Sequence, residues 1–127
     1  MAKRLALILE DEYLIANDVA ESLEREGFDV ICVATEAAAE KWLDEITPDV
    51  AIVDIRLLDG ETGQGATRLK ALGVPFIVHS GYEPAFQPSI FRDAPFVVKP
   101  APVEELVRLA VGLAKQQPRS ARAPFNI

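Results

Sequence analysis

The chain has 127 residues, half of them hydrophobic and 26% charged, with a net charge of −7 at pH 7 and a pI near 4.7. That is one globular domain's worth of chain, enough for one core. Its acidity argues against nucleic acid or an anionic membrane as a partner, because both call for a basic surface. The single cysteine, Cys32, allows no intrachain disulfide and suits a reducing, cytoplasmic setting. The apolar run after Met1-Ala2-Lys3-Arg4 is too short for a signal peptide, and no run reaches membrane-spanning length.

Leu5-Ala6-Leu7-Ile8-Leu9 reads as a first buried strand, and it runs into three acids, Glu10-Asp11-Glu12. From about Glu12 to Glu26 the period changes: Ile15, Val19 and Leu23 with Ala16 and Ala20 make one stripe of an amphipathic helix, stopped at Gly27. Val30-Ile31-Cys32-Val33-Ala34 is the second strand, and Thr35 is placed to cap the next helix. Ala39, Trp42, Leu43 and Ile46 are that helix's apolar face, with Trp42 read as helix packing, and Thr47-Pro48-Asp49 ends it.

Val50-Ala51-Ile52-Val53 is an uninterrupted apolar run leading directly to Asp54, the pattern of a strand buried on both faces. A glycine-bearing loop follows, with Asp59 and Glu61 read as solvated loop acids, and becomes a helix near residue 64 that Gly73 closes. Its glycines do not match a dinucleotide fingerprint. Pro75-Phe76-Ile77-Val78-His79 is the fourth strand and delivers Ser80. His79 is the one histidine, and its place on a strand argues for a structural role. Pro84 and Pro88 break any regular fourth helix, so residues 83–92 are expected to be irregular and to move. Phe96-Val97-Val98 is the fifth strand, ending at Lys99-Pro100. Val103, Leu106, Val107, Ala110 and Leu113 give a final amphipathic helix with Pro102 in its first turn. Residues 116–127 read as a loose tail, in which Phe125 and Ile127 could dock.

Five strands alternating with helices imply a parallel sheet covered on both faces. Parallel strands bring their C-terminal ends to one rim, here gathering Glu10, Asp11, Asp54, Ser80 and Lys99. Three crowded carboxylates repel one another unless a cation intervenes, and an oxygen-rich acidic cleft suits Mg²⁺. Adding an ammonium and a hydroxyl makes a site fit for phosphoryl transfer, with one carboxylate as the attacking group.

This ordered set, Glu10-Asp11, Asp54, Ser80 and Lys99-Pro100, resembles the receiver domain of two-component response regulators, over roughly residues 3–115. The resemblance implies a flavodoxin-like, doubly wound sheet of order 2-1-3-4-5, in a receiver domain spanning residues 1–115. It implies Asp54 as phosphoacceptor, and Mg²⁺ held by Asp11, by Glu10 through water, by Asp54 and by the backbone carbonyl of Arg56. Lys99 and Ser80 would contact the phosphoryl group. Ser80 and Phe96 would act as the switch, and Pro100 would follow a cis peptide bond. Pro75-Phe76-Ile77-Val78-His79-Ser80-Gly81-Tyr82 is similar to the PFxFATGY segment of stand-alone alphaproteobacterial receivers, from which Val78-His79-Ser80 departs. The implied partners are a sensor histidine kinase or histidine phosphotransfer protein and a downstream protein. With no output domain in view, output is expected through protein contact, or as a relay or phosphate sink, rather than as an enzyme. Two alternatives are a small Mg²⁺-dependent phosphatase, disfavoured by Arg56 where such enzymes carry a second acid, and a docking module that is never phosphorylated.

Overall fold

In the computed structural model, residues 3–61, 63–81 and 88–116 are described. Tyr82, residues 83–87 of the stretch expected to move, and residues 117–127 of the expected tail, with Phe125 and Ile127, lie outside the described residues. The strands are β1 (Leu5–Leu9), β2 (Asp29–Val33), β3 (Val50–Val53), β4 (Phe76–Ser80) and β5 (Phe96–Val98). The helices are α1 (Tyr13–Arg25), α2 (Glu36–Leu43), α3 (Gln64–Ala71) and α4 (Val103–Lys115). All strand pairs are parallel, in the order β2-β1-β3-β4-β5. Of the irregular fourth helix, the described part is one 3₁₀ turn, Ser89–Phe91.

Side chains alternate across each strand and sort the sheet into two cores. Leu7, Leu9, Ala51, Val53, Phe76 and Val78 face α2, α3 and Phe91. Ala6, Ile8, Val50, Ile52, Ile77 and Val97 face α1 and α4. Every residue of β3 is buried, as an apolar run in the middle of a covered parallel sheet requires. At the opposite rim from Asp54, Asp49 holds β3 on β1 twice: its amide donates to the Leu5 carbonyl at 2.8 Å, and its carboxylate accepts from the Leu5 amide at 2.7 Å. Arg4 donates to the Ala114 carbonyl at 2.6 Å, putting a cation on the C-terminal end of α4.

Side chains cap the starts of α2 and α3. Thr35 accepts from the Ala38 amide at 3.0 Å, as expected. Asp59 is exposed, as expected of a solvated loop acid, and it also caps α2: its two carboxylate oxygens accept from the Glu36 and Ala37 amides at 2.8 and 3.1 Å. Those donors hold the Asp59 carboxyl below its ordinary range, led by the Glu36 amide. Glu36 in turn reaches α3, accepting from Gly65 at 2.8 Å and Gly63 at 3.2 Å. Burial pushes the Glu36 carboxyl up, against the pull of those two amides.

Trp42 also differs from expectation. It is 42% exposed on the outer side of α2, while Ala39 and Leu43 are buried and fill the core. Eight residues give a helix too little apolar stripe to bury an indole beside both. Pro102 sits one residue before the first turn of α4, as its cap. Cys32 is exposed on the edge strand β2.

Two glycines in helices test the packing in opposite directions. A Cβ on Gly65 would lie 2.6 Å from Leu9 Cδ2 and 3.0 Å from Glu36 Oε1, whereas a Cβ on Gly112 would meet nothing within 4 Å. Gly112→Ala is expected to stabilise the protein by about 0.5–1 kcal/mol through helix propensity. Gly65→Ala is expected to destabilise it by about 1–3 kcal/mol despite the same propensity gain. Urea unfolding of the two variants checks the pair of signs.

His79 is buried on the α1 and α4 side of β4, and its Nε2 has no hydrogen-bond partner among the described residues. Burial first, and then the Lys99 charge, push its pKa down, so the folded protein holds a neutral imidazole. The unfolded chain takes up a proton near pH 6.5 and the folded chain only below that. The stability due to neutral His79 is therefore complete above about pH 6.5 and is lost as pH falls toward the lower folded value. His79→Leu is expected to flatten the decline in melting temperature between pH 7.5 and 5.5. An unchanged slope in thermal unfolding would refute this.

Candidate functional site

The C-terminal rim of the sheet carries the expected residues. Glu10, Asp11 and Glu12 lie between β1 and α1. Asp54 follows β3, Ser80 ends β4, and Lys99 follows β5. Backbone bonds fix these positions before any side chain is considered. The Asp54 amide donates to Leu9 at 2.8 Å, the Glu10 amide to Val33 at 2.9 Å and the Lys99 amide to Ser80 at 3.0 Å. Asp54, Glu10 and Lys99 are therefore each pinned to the end of a neighbouring strand.

The Lys99 ammonium sits among three carboxylates. Its Nζ is 2.8 Å from Asp54 Oδ2, 2.9 Å from Glu10 Oε1 and 2.9 Å from Glu12 Oε1. Glu10 and Asp54 are buried, and Glu12 is exposed. Glu10, Asp11, Glu12 and Asp54 each bring a carboxylate oxygen within 4.8 Å of the others'. Burial acts to lower the Lys99 pKa, but hydrogen bonds to Asp54, Glu10 and Glu12 outweigh it and hold the ammonium well above its ordinary range. Burial raises the Glu10 carboxyl to about 7, a rise that the Lys99 and Glu12 hydrogen bonds only moderate. Hard oxygen donors at this spacing, with more negative charge than one ammonium balances, fit a small divalent cation.

The other expected residues fall as follows. Arg56 turns its side chain outward to Glu61 at 3.1 Å, while its amide lies 3.4 Å from Asp54 Oδ1. Ser80 is fully buried and pairs with Val98 across β4 and β5. Phe96 is half-buried against the core that contains Phe91. The Lys99–Pro100 peptide bond is cis. Val53 pairs with Val78, so Asp54 and His79 are the next residues out from that pair. The sequence reading missed Glu12 as a site residue. Its signal was present in the unbroken acidic triplet, but only the entry into α1 turns the third acid back onto Lys99.

No family model matches the chain. It is 36% identical over 115 residues to the phyllosphere-induced regulator PhyR of Methylorubrum extorquens, and that match takes in 83% of this chain and 42% of PhyR. The chain thus spans less than half the length of this curated relative. Among solved structures, a CheY-like response regulator receiver domain from Methanospirillum hungatei superposes with a TM-score of 0.79 at 23% identity, covering 91% of this chain and 96% of that one. The receiver domain of a sensor histidine kinase from Pseudomonas aeruginosa superposes with a TM-score of 0.70 at 20% identity, covering 90% and 99%. That structure is described with a magnesium ion coordinated in its active site cleft. With its 2-1-3-4-5 parallel sheet and its acids and lysine on one rim, the chain has the fold of CheY-like response regulator receiver domains.

Proposed function

We propose that Asp54 is a phosphoacceptor, taking its phosphoryl group from a phosphohistidine on a sensor kinase or phosphotransfer protein. The observation that carries this reading is the Lys99 ammonium 2.8 Å from Asp54 Oδ2, beside an acidic cluster able to hold a cation. A carboxylate oxygen of Asp54 attacks phosphorus as the P–N bond to the donor imidazole breaks, and the bonding electrons stay with the ring nitrogen. Asp11, Asp54, the Arg56 carbonyl and, through water, Glu10 are the residues that would hold Mg²⁺. Bound there, Mg²⁺ would neutralise charge on the phosphoryl oxygens. Lys99 touches Asp54 and would follow a phosphoryl oxygen once the carboxylate becomes an acyl phosphate. Ser80, at the end of β4, is the hydroxyl donor nearest in the chain to the segment beyond residue 81 and would carry the change outward, with Phe96 yielding on β5.

The output is contact with another protein, or service as a relay or phosphate sink, and the setting is the cytoplasm. Among the described residues no helix is long and apolar enough to cross a membrane. Residues 1–115 form the receiver unit in this reading.

Incubation with MgCl₂ and acetyl phosphate is expected to add one phosphoryl group to the wild type and none to Asp54→Asn, as read by intact mass. Equal labelling of both would overturn the assignment. Lys99→Met removes a positive charge that competes with the cation. It is expected to tighten Mg²⁺ binding by about tenfold or more, by relief of Coulomb repulsion, while slowing phosphoryl uptake. Calorimetric titration with MgCl₂ checks the first effect and intact mass against time the second.

A further inference from the structure

The loop between β3 and α3 carries Arg56, and it is fastened to α2 from two directions. The Asp59 carboxylate accepts from the Glu36 and Ala37 amides at 2.8 and 3.1 Å, at the first turn of α2. The Glu36 carboxylate, buried, accepts from the Gly63 and Gly65 amides at 3.2 and 2.8 Å, at the first turn of α3. Each carboxylate lies at the positive end of the other segment's helix, so the loop and α2 hold one another reciprocally. Between these fastenings the loop closes a tight turn, with Leu57 and Gly60 exchanging amide-to-carbonyl bonds at 3.0 and 3.1 Å. Leu58 donates to Ala34 at 3.2 Å, just ahead of α2.

Arg56 lies between two fixed points. Upstream, Asp54 is anchored on Leu9 at the end of β1. Downstream, the Leu57–Gly60 turn is anchored on α2 through Asp59. With one residue, Ile55, between it and Asp54, and the turn beginning at the next residue, Leu57, the Arg56 backbone has little freedom of its own. Neither Glu36 nor Asp59 belongs to the acidic cluster on the rim.

We infer that Glu36 and Asp59 are positioning residues for the cation site: by clasping the β3–α3 loop to α2 they set the Arg56 carbonyl in place, and this rests on the reading of that carbonyl as a metal ligand. Supporting groups of this kind typically change metal affinity by about ten- to a hundredfold when lost. The remaining Leu58–Ala34 bond places this loop at the lower end of that range.

The test is calorimetric titration of the full chain with MgCl₂. Asp59→Ala is expected to weaken Mg²⁺ binding about tenfold. Asp59→Asn keeps an oxygen able to cap α2 and is expected to restore most of the affinity. Glu36→Gln, whose NH₂ must face one of two amide donors, is expected to lie between them. Thr35→Ala is the control for stability alone: it removes a cap from the same helix without touching the loop, and should lower the melting temperature while leaving Mg²⁺ affinity unchanged. Asp59→Ala binding as tightly as wild type, or Thr35→Ala weakening binding equally, overturns the inference and leaves the phosphoacceptor reading standing. A wild type that binds no Mg²⁺, or binds it as well as Asp11→Ala does, overturns both.

Discussion

Lys99 reconciles a conflict that the topology creates. A parallel sheet brings the ends of β1 and β3 side by side, and both ends carry acids, so Glu10 and Asp54 are buried together at one rim. Two desolvated carboxylates at that distance are unfavourable unless a cation compensates them. Lys99 supplies that charge from the far side of β4, reaching 2.8 Å from Asp54 and 2.9 Å from Glu10. Its own backbone is held by the Ser80 carbonyl, so strand pairing, and not a long side chain's search, decides where the ammonium stands. One ammonium leaves the rim acidic, with oxygen donors that fit a divalent cation.

The two layers of helices divide the work of holding that rim. On one face, α1 begins at the acidic triplet, and its stripe of Ala16, Val19 and Leu23 packs with α4 against Ala6, Ile8 and Ile52. That packing holds Glu10, Asp11 and Glu12 from one side. On the other face, α2 and α3 are tied to each other and to the loop after Asp54 by Glu36, Asp59 and the Arg68 pairs with Glu40 and Asp44. The Arg68 pairs are partly exposed and contribute little each, whereas the Glu36 carboxylate is buried and leaves two amides without acceptors if removed. Gly63 lies against Ile90 and Phe91, which joins the end of this loop to the 3₁₀ turn after the undescribed residues 82–87. The site thus rests on packed elements from both faces of the sheet.

Much of this was legible in the chain. The apolar runs at Leu5–Leu9, Val50–Val53 and Phe96–Val98 mark strands, the four-residue spacing of Ile15, Val19 and Leu23 marks α1, and Gly73 adopts the positive φ of +76° that ends α3. From strand ends alone Asp54, Glu10, Ser80 and Lys99 could be assigned to one rim, since parallel strands share a direction. Less legible were the partners of polar groups. Asp59 and Glu12 are exposed, as solvated acids are, yet Asp59 also caps α2 and Glu12 also binds Lys99, while Trp42, read as helix packing, is 42% exposed.

The reason lies in the range over which each interaction is encoded. Burial is written as periodicity within a few neighbouring residues, so the sequence by itself determined the strands, the helices and the edge on which the acids gather. A carboxylate's partner is chosen by which donors lie within about 3 Å once the chain has folded. Asp59 and Glu36 are separated by 23 residues, and Lys99 and Asp54 by 45. No local pattern records those meetings, and only the tertiary packing of loop on helix and strand beside strand decided them.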